Sequence, residues 1–215
     1  MSDAPSGAGR FITFEGGEGA GKSTQIGRLA DALRAAGVDV LCTREPGGSP
    51  SAEAVRALLL GHGHGWQPLS ETLLHFAARA EHLEATIRPA LSAGTWVLCD
   101  RFTDSTRAYQ GAGQGVDAAA IDALERMVVA DTRPDLTLIL DVPAETGLAR
   151  MGQRGGHADR YETMHLTFHQ RLRRGFQTIA AGEPDRCAVV DADRDVDCVA
   201  ADVLDTVRRR LHIGT

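Results

Sequence analysis

The chain has 215 residues, 43% of them hydrophobic and 24% charged, with a formal net charge of −6. That length suits one domain with a full core, and the acidic balance argues against a broad nucleic-acid or anionic-membrane surface. No apolar run approaches the ~18 residues that a membrane-spanning helix needs.

Met1 to Arg10 is small and polar and has no apolar stretch of the kind a signal peptide carries. Residues 1–9 are therefore expected to form a disordered leader, and 10–215 a single domain. Phe11-Ile12-Thr13-Phe14 alternates aromatic and β-branched side chains and predicts a strand. Residues 24–36 predict a helix with Ile26, Leu29, Ala30 and Leu33 on one face, ended by Gly37. Strands are predicted again at 38–43, 95–99, 136–142 and 188–190. Between them, 70–93 predicts a long helix with a stripe of Leu73, Phe76, Ala80, Leu83, Ile87 and Leu91, bent or shortened by Pro89. Helices are also predicted at 117–130, through Ile121, Leu124 and Val128, and at 196–211. Residues 44–51, 61–68, 101–115 and 152–160 read as loops. The alternation predicts an α/β fold of three layers, a five-stranded parallel sheet flanked by helices.

Between the first strand and helix lies Gly16-Gly17-Glu18-Gly19-Ala20-Gly21-Lys22-Ser23, which fits G-x-x-x-x-G-K-[ST] at every position. Lys22 is the only lysine in the chain. Glycines let backbone N–H groups point at phosphate oxygens, the ammonium neutralises β- and γ-phosphates, and a serine hydroxyl can ligate Mg²⁺. Strand, glycine-rich turn and helix are the context this P-loop requires. Asp100 ends an apolar strand, where a carboxylate can orient Mg²⁺ or its waters, and Arg101 beside it offers a planar fork to a phosphate. Arg44 and Glu45 follow a strand and fall at the same sheet edge. Phe76 lies on the apolar stripe, so its default place is the core, and Arg79 three residues on could face the cleft. The stretch 152–160 is glycine-rich and basic, and with Arg150, Arg154 and Arg160 it suits a lid over a transferring phosphoryl group.

Other features carry less. His62 and His64, spaced i, i+2, make a poor metal pair. Cys42, Cys99, Cys187 and Cys198 form no C-x-x-C pair and read as buried, reduced thiols of a cytosolic protein. The chain has no asparagine, so a guanine-reading N-K-x-D motif is impossible. From residues alone, a kinase acting on a nucleotide or small metabolite and an ATP-dependent switch both stay open.

The ordered set of motifs resembles the thymidylate kinases, a family of P-loop nucleoside monophosphate kinases. The marks are Phe14-Glu15-Gly16 entering the P-loop, Thr43-Arg44-Glu45-Pro46-Gly47-Gly48, Phe76-Ala77-Ala78-Arg79, Asp100-Arg101 followed by Ser105-Thr106-Arg107-Ala108-Tyr109-Gln110-Gly111, and Arg133-Pro134-Asp135. The resemblance spans about residues 11–212. It implies phosphorylation of dTMP to dTDP by ATP with Mg²⁺ in a cytoplasmic homodimer, with neither nucleic acid nor membrane as partner. It implies nucleotide binding by Gly16, Gly17, Glu18, Gly19, Ala20, Gly21, Lys22, Ser23 and Thr24, and Mg²⁺ at Ser23 and Asp100. Glu18 matches a carboxylate that contacts the 3′-hydroxyl of the sugar. Gly19 stands where some members carry an arginine, so the catalytic arginine is expected from the lid: Arg154 first, Arg160 second. Arg101 and Arg44 match the clamp on the acceptor phosphate, and Arg79 the base-contacting arginine. Tyr109 matches the residue that crowds the 2′ position, with Thr106 and Gln110 near the base and Pro46 and Ser105 beside the substrate. The family stacks the base on an aromatic four residues before the arginine. Here that residue is His75, with Phe76 one position off, and both are candidates.

Overall fold

A computed structural model describes residues 9–61, 65–154, 161 and 164–212, with only the backbone at Arg154. Residues 1–8 of the expected leader, His62, His64 and the lid residues 155–160, Arg160 among them, lie outside the described residues. Five strands, β1 (Phe11–Glu15), β2 (Val40–Arg44), β3 (Trp96–Asp100), β4 (Leu136–Asp141) and β5 (Cys187–Asp191), form one parallel sheet in the order β2-β3-β1-β4-β5. All of β1 is buried, as a central strand covered on both faces must be. Register sets Phe14 beside Asp100 and Arg44 beside Asp100, so the chemistry-bearing strand ends meet at one edge.

On one face, Leu29 and Leu33 of α1 (Lys22–Ala35) and Val199 and Val203 of α9 (Val196–Leu211) pack with Ile12, Phe14 and Leu138. Each such fully buried side chain is worth about 1.5–3 kcal/mol relative to exposure. The other face is covered by α2 (Pro50–Leu60), α3 (Pro68–His82), α4 (Arg88–Ser92), α5 (Thr103–Thr106), α6 (Ala118–Val128), α7 (Ala144–Arg154) and α8 (Leu166–Gly182). Its cores are Phe11, Leu83, Ile87, Val97 and Phe102, and Tyr109, Phe168, Leu172 and Phe176. No helix among the described residues is long and apolar enough to cross a membrane.

One expectation of burial needs correction, since Cys42 and Cys198 are exposed while Cys99 and Cys187 are buried, and so do three of secondary structure. The helix expected over 70–93 begins at Pro68 and is interrupted by a wide π-type turn at Leu83–Ile87, after which Arg88–Ser92 resumes the α form. Pro89, without an N–H, sits just inside the resumed segment, where it breaks no α-type bond. Leu73 is 48% exposed, and the buried face is Thr72, Phe76, Arg79, His82, Leu83 and Ile87. Second, 101–115 is not a loop: α5 runs into a second π-type turn, Arg107–Gly113. Third, Gly152, Gln153 and Arg154 complete α7, so the first part of the expected lid is helical.

Candidate active site

A cavity of about 210 Å³ opens beyond the carboxyl ends of β1, β2 and β3. The P-loop forms one wall. Gly19 and Gly21 carry φ of 68° and 88°, in the left-handed region that glycine enters without strain. A Cβ at Gly19 would stand 2.0 Å from the carbonyl oxygen of Gly147. Gly21 caps α1 with no side-chain bond, so the first-turn N–H groups are left to a ligand. Lys22 donates from Nζ to the carbonyl oxygens of Gly16 at 3.2 Å and Gly17 at 3.0 Å. Burial, then the nearby Arg101 charge, lowers its pKa.

Ser23 donates from Oγ to Oδ2 of Asp100 at 2.9 Å, so the two residues expected at the metal do meet. They are hard oxygen donors beside a phosphate loop, which suits Mg²⁺. That ion keeps phosphate oxygens and waters as ligands and needs only one or two protein groups. Among the described residues, no group of three or more His, Cys, Asp or Glu side chains is placed to hold a metal ion.

Arg101, at φ 69°, turns the chain sharply after β3. Its guanidinium donates to Oε1 of Glu18 at 2.7 Å, to the carbonyl of Gly16 at 3.0 Å and to Oγ of Ser105 at 3.2 Å, and lies 4.8 Å over the ring of Tyr109. Tyr109 also donates its hydroxyl to Glu18. Burial pushes the Glu18 carboxyl up, but the charges of Arg101 and Lys22 outweigh it and bring it to about 2. Glu15, fully buried behind this turn, accepts from the N–H groups of Phe102 and Ser105 and from the Ser105 hydroxyl at 2.6 Å. Burial and the charge of Asp104 raise its pKa to about 7.

The opposite wall comes from α3 and the Arg107–Gly113 turn. Arg79 is 2% exposed and lines the cavity. Its Nε donates to Glu45 at 2.7 Å, and its Nη2 to the carbonyl of Phe102 at 3.1 Å and to Oγ of Thr106 at 3.2 Å. Nη1, also buried, has no hydrogen-bond partner in the described protein. His75 lines the cavity, with Nε2 3.1 Å from the Tyr161 hydroxyl, and Gln110 lies beside them.

Most expected residues reach this cavity: Glu18 to Ser23, Arg44, Pro46, His75, Arg79, Asp100, Arg101, Ser105, Thr106, Tyr109 and Gln110 all line it. Others do not. Phe76 is 2% exposed beneath Arg79, whose guanidinium is 4.7 Å from its ring, so it is core and not cavity wall. Helical spacing turns adjacent residues about 100° apart, so only one of His75 and Phe76 can face the ligand. Thr24 is exposed on α1, while Gly16 and Gly17 sit behind the wall and offer carbonyls to Lys22. Arg150 is in α7 and is held away from the cavity, by the carbonyl of Ala192 at 2.9 Å and Asp193 at 3.5 Å. Sequence reasoning missed Arg56, which donates to the carbonyl of Pro46 at 2.6 Å, and Tyr161. It also missed the buried residues behind the wall, Glu71 and His82. Their signal was present: Glu71, His75, Arg79 and His82 recur at helical spacing within the predicted helix, a polar stripe the apolar count passed over.

The thymidylate kinase family model matches residues 14–203. A thymidylate kinase of Caulobacter vibrioides is 60% identical over 206 residues, covering 95% of this chain and 99% of that protein. One of Bradyrhizobium diazoefficiens is 55% identical, covering 98% and 96%. The crystal structure of thymidylate kinase from Ehrlichia chaffeensis superposes with a TM-score of 0.77 at 38% identity, covering 94% of this chain and all of that one. With P-loop, Asp100-Arg101 turn and buried Arg79 around one cavity, the chain belongs to the thymidylate kinase family.

Proposed function

We propose that this chain transfers the γ-phosphoryl group of ATP, with Mg²⁺, to the 5′-phosphate of dTMP, giving dTDP. The observation that carries the substrate is Arg79: a buried, donor-only guanidinium in the cavity wall whose Nη1 NH₂ group has no partner in the described protein, so a base carbonyl in the cavity could become its acceptor. An unsatisfied buried donor costs about 1–3 kcal/mol, which a ligand carbonyl would recover. In this reading Lys22 and the P-loop N–H groups hold the ATP phosphates, and Ser23 and Asp100 hold Mg²⁺, which bridges and neutralises phosphate oxygens when bound. Arg101 and Arg44 clamp the acceptor phosphate. The Arg101 guanidinium has five N–H donors, so it can keep Glu18 while taking a phosphate. Glu18 then meets the sugar 3′-hydroxyl, and Tyr109, packed between Arg101 and Phe168, crowds the 2′ position. The attacking phosphate oxygen is already anionic, so no general base is needed, and positioning with charge stabilisation does the work. Arg154, at the end of α7, is the first choice for the arginine on the migrating group, and Arg160 the second. A cytoplasmic homodimer belongs to the same reading. The homodimer draws support from the exposed Leu58, Leu69, Leu73 and Met127 on α2, α3 and α6, helices of which α3 packs against both others, since a second copy could cover such side chains.

The test is ADP release from ATP and Mg²⁺ with dTMP, dUMP, AMP, CMP, GMP or no acceptor. Release that is strong with dTMP and weaker with dUMP is the expected result. Release with a different acceptor replaces the substrate, and release without any favours an ATP-dependent switch.

A further inference from the structure

We propose that Glu71, which does not itself line the cavity, fixes the hydrogen-bonding pattern shown to the acceptor base, and so sets selectivity for thymine or uracil over cytosine. The proposal rests on the dTMP kinase reading above.

Glu71 is 0% exposed in the first turn of α3. Its Oε1 accepts from the side-chain amides of Gln110 and Gln114, each at 2.8 Å, and from the hydroxyl of Tyr161 at 2.7 Å. A carboxylate oxygen only accepts, so each partner must present a donor. Gln110 therefore cannot be turned over, because its carbonyl oxygen would face Glu71 oxygen to oxygen. Its Nε2 is also 3.2 Å from the Tyr161 hydroxyl, which commits the NH₂ group further. What this cavity-lining amide has left to offer a ligand is its oxygen, an acceptor. On the same wall stands Arg79, a side chain that can only donate and whose Nη1 has no partner in the described protein.

An acceptor and a donor together match a base edge that places N–H beside a carbonyl, as thymine and uracil do. Cytosine presents the reverse, a ring nitrogen acceptor beside an NH₂ donor. The same carboxylate reaches His75. The single Tyr161 hydrogen goes to Glu71, so toward His75 the phenol oxygen accepts, and His75 Nε2 carries the proton. Three cavity side chains thus take their hydrogen-bond direction from one buried group.

The experiment compares kcat/KM for dTMP, dUMP and dCMP in wild type, Glu71→Gln and the double variant Glu71→Gln with Gln110→Glu. The amide that Glu71→Gln introduces can face its partners with either end, so Gln110 is freed to turn. The dTMP-to-dCMP ratio should fall at least about tenfold, chiefly through KM, while the dTMP-to-dUMP ratio stays as in wild type, since those bases share the same edge. The double variant exchanges the two groups and again leaves a carboxylate oxygen for the base, so it should recover the wild-type ratio. A folded Glu71→Gln with an unchanged dTMP-to-dCMP ratio overturns the proposal, as does a double variant that fails to recover it. If Glu71→Gln does not fold, the double variant decides alone: folded with the wild-type ratio it supports the proposal, and otherwise the proposal falls. Wild type inactive on dTMP would instead refute the functional reading beneath it.

Discussion

Arg79 can hold a charge at 2% exposure because Glu45, itself 5% exposed, stands behind it. Glu45 gives Oε2 to Arg79 Nε at 2.7 Å and Oε1 to His82 Nδ1 at 3.0 Å, and His82 Nε2 meets Thr43 Oγ at 2.7 Å. Phe76 and Phe102 close around the guanidinium at 4.7 and 5.2 Å. In such dry surroundings, breaking an ion pair costs more than the pair contributed, because the survivor is left buried and charged. Glu45→Ala should therefore lose about 3–5 kcal/mol of unfolding free energy in urea. It should also raise the KM for dTMP more than it lowers kcat, since the proposed role of Arg79 is to contact the base and not the reacting phosphates. A variant that loses stability while keeping the wild-type KM would separate Arg79 from base binding.

At the scale of elements, the P-loop is held by backbone packed on backbone. A Cβ at Gly19 would meet the Gly147 carbonyl oxygen of α7 at 2.0 Å, and one at Gly147 would meet the Glu18 carbonyl oxygen at 2.3 Å. An arginine at position 19 could not enter without moving α7, which fits a chain whose catalytic arginine is sought at the far end of that same helix. Gly147→Ala should push the loop and helix apart, costing about 1–3 kcal/mol as overpacking does. ATP binding, followed by calorimetry, should weaken with it, and unchanged affinity would show that the loop does not depend on α7. The contact was not legible in the sequence, because it joins distant residues and only glycine's lack of a side chain records it. What was legible is what local spacing encodes: the P-loop, α1, the five strands and Asp100-Arg101 at a strand tip. Residues 101–115 misled because Thr, Ser and Gly favour turns, whereas their helical form is secured from outside, by Glu15 bonding Phe102 and Ser105. α3 misled in the opposite way. Its buried face is partly polar, so the count of apolar residues chose Leu73, which is half exposed, over Glu71 and Arg79, which are buried.

For the whole molecule, two neighbouring carboxyls set opposite slopes of stability against pH. Glu15 has its pKa raised from 4.5 to about 7, first by burial and then by the charge of Asp104, which is itself held by Arg186 at 2.7 Å. Between those values the native state keeps a proton that the unfolded chain has released. The native state therefore binds more protons, and stability falls as pH rises from 4.5 to 7. Glu18 is depressed from 4.5 to about 2 by Arg101 and Lys22, against the cost of its burial. The unfolded chain takes up its proton first, so this group's contribution is present above 4.5 and is lost as pH falls toward 2. The Glu15 effect is on the order of 3 kcal/mol, and these two groups together place their best stability near pH 4.5–5. Glu15→Gln keeps the shape and can still accept the Phe102 and Ser105 N–H groups while donating to the Ser105 hydroxyl. Urea unfolding at pH 5, 6 and 7.5 should show wild type losing stability across the series and Glu15→Gln nearly flat, with both falling alike below pH 4. Parallel curves from pH 5 to 7.5 would mean that Glu15 is already ionised at pH 5. The turn carrying Arg101 would then rest on a full negative charge throughout that range.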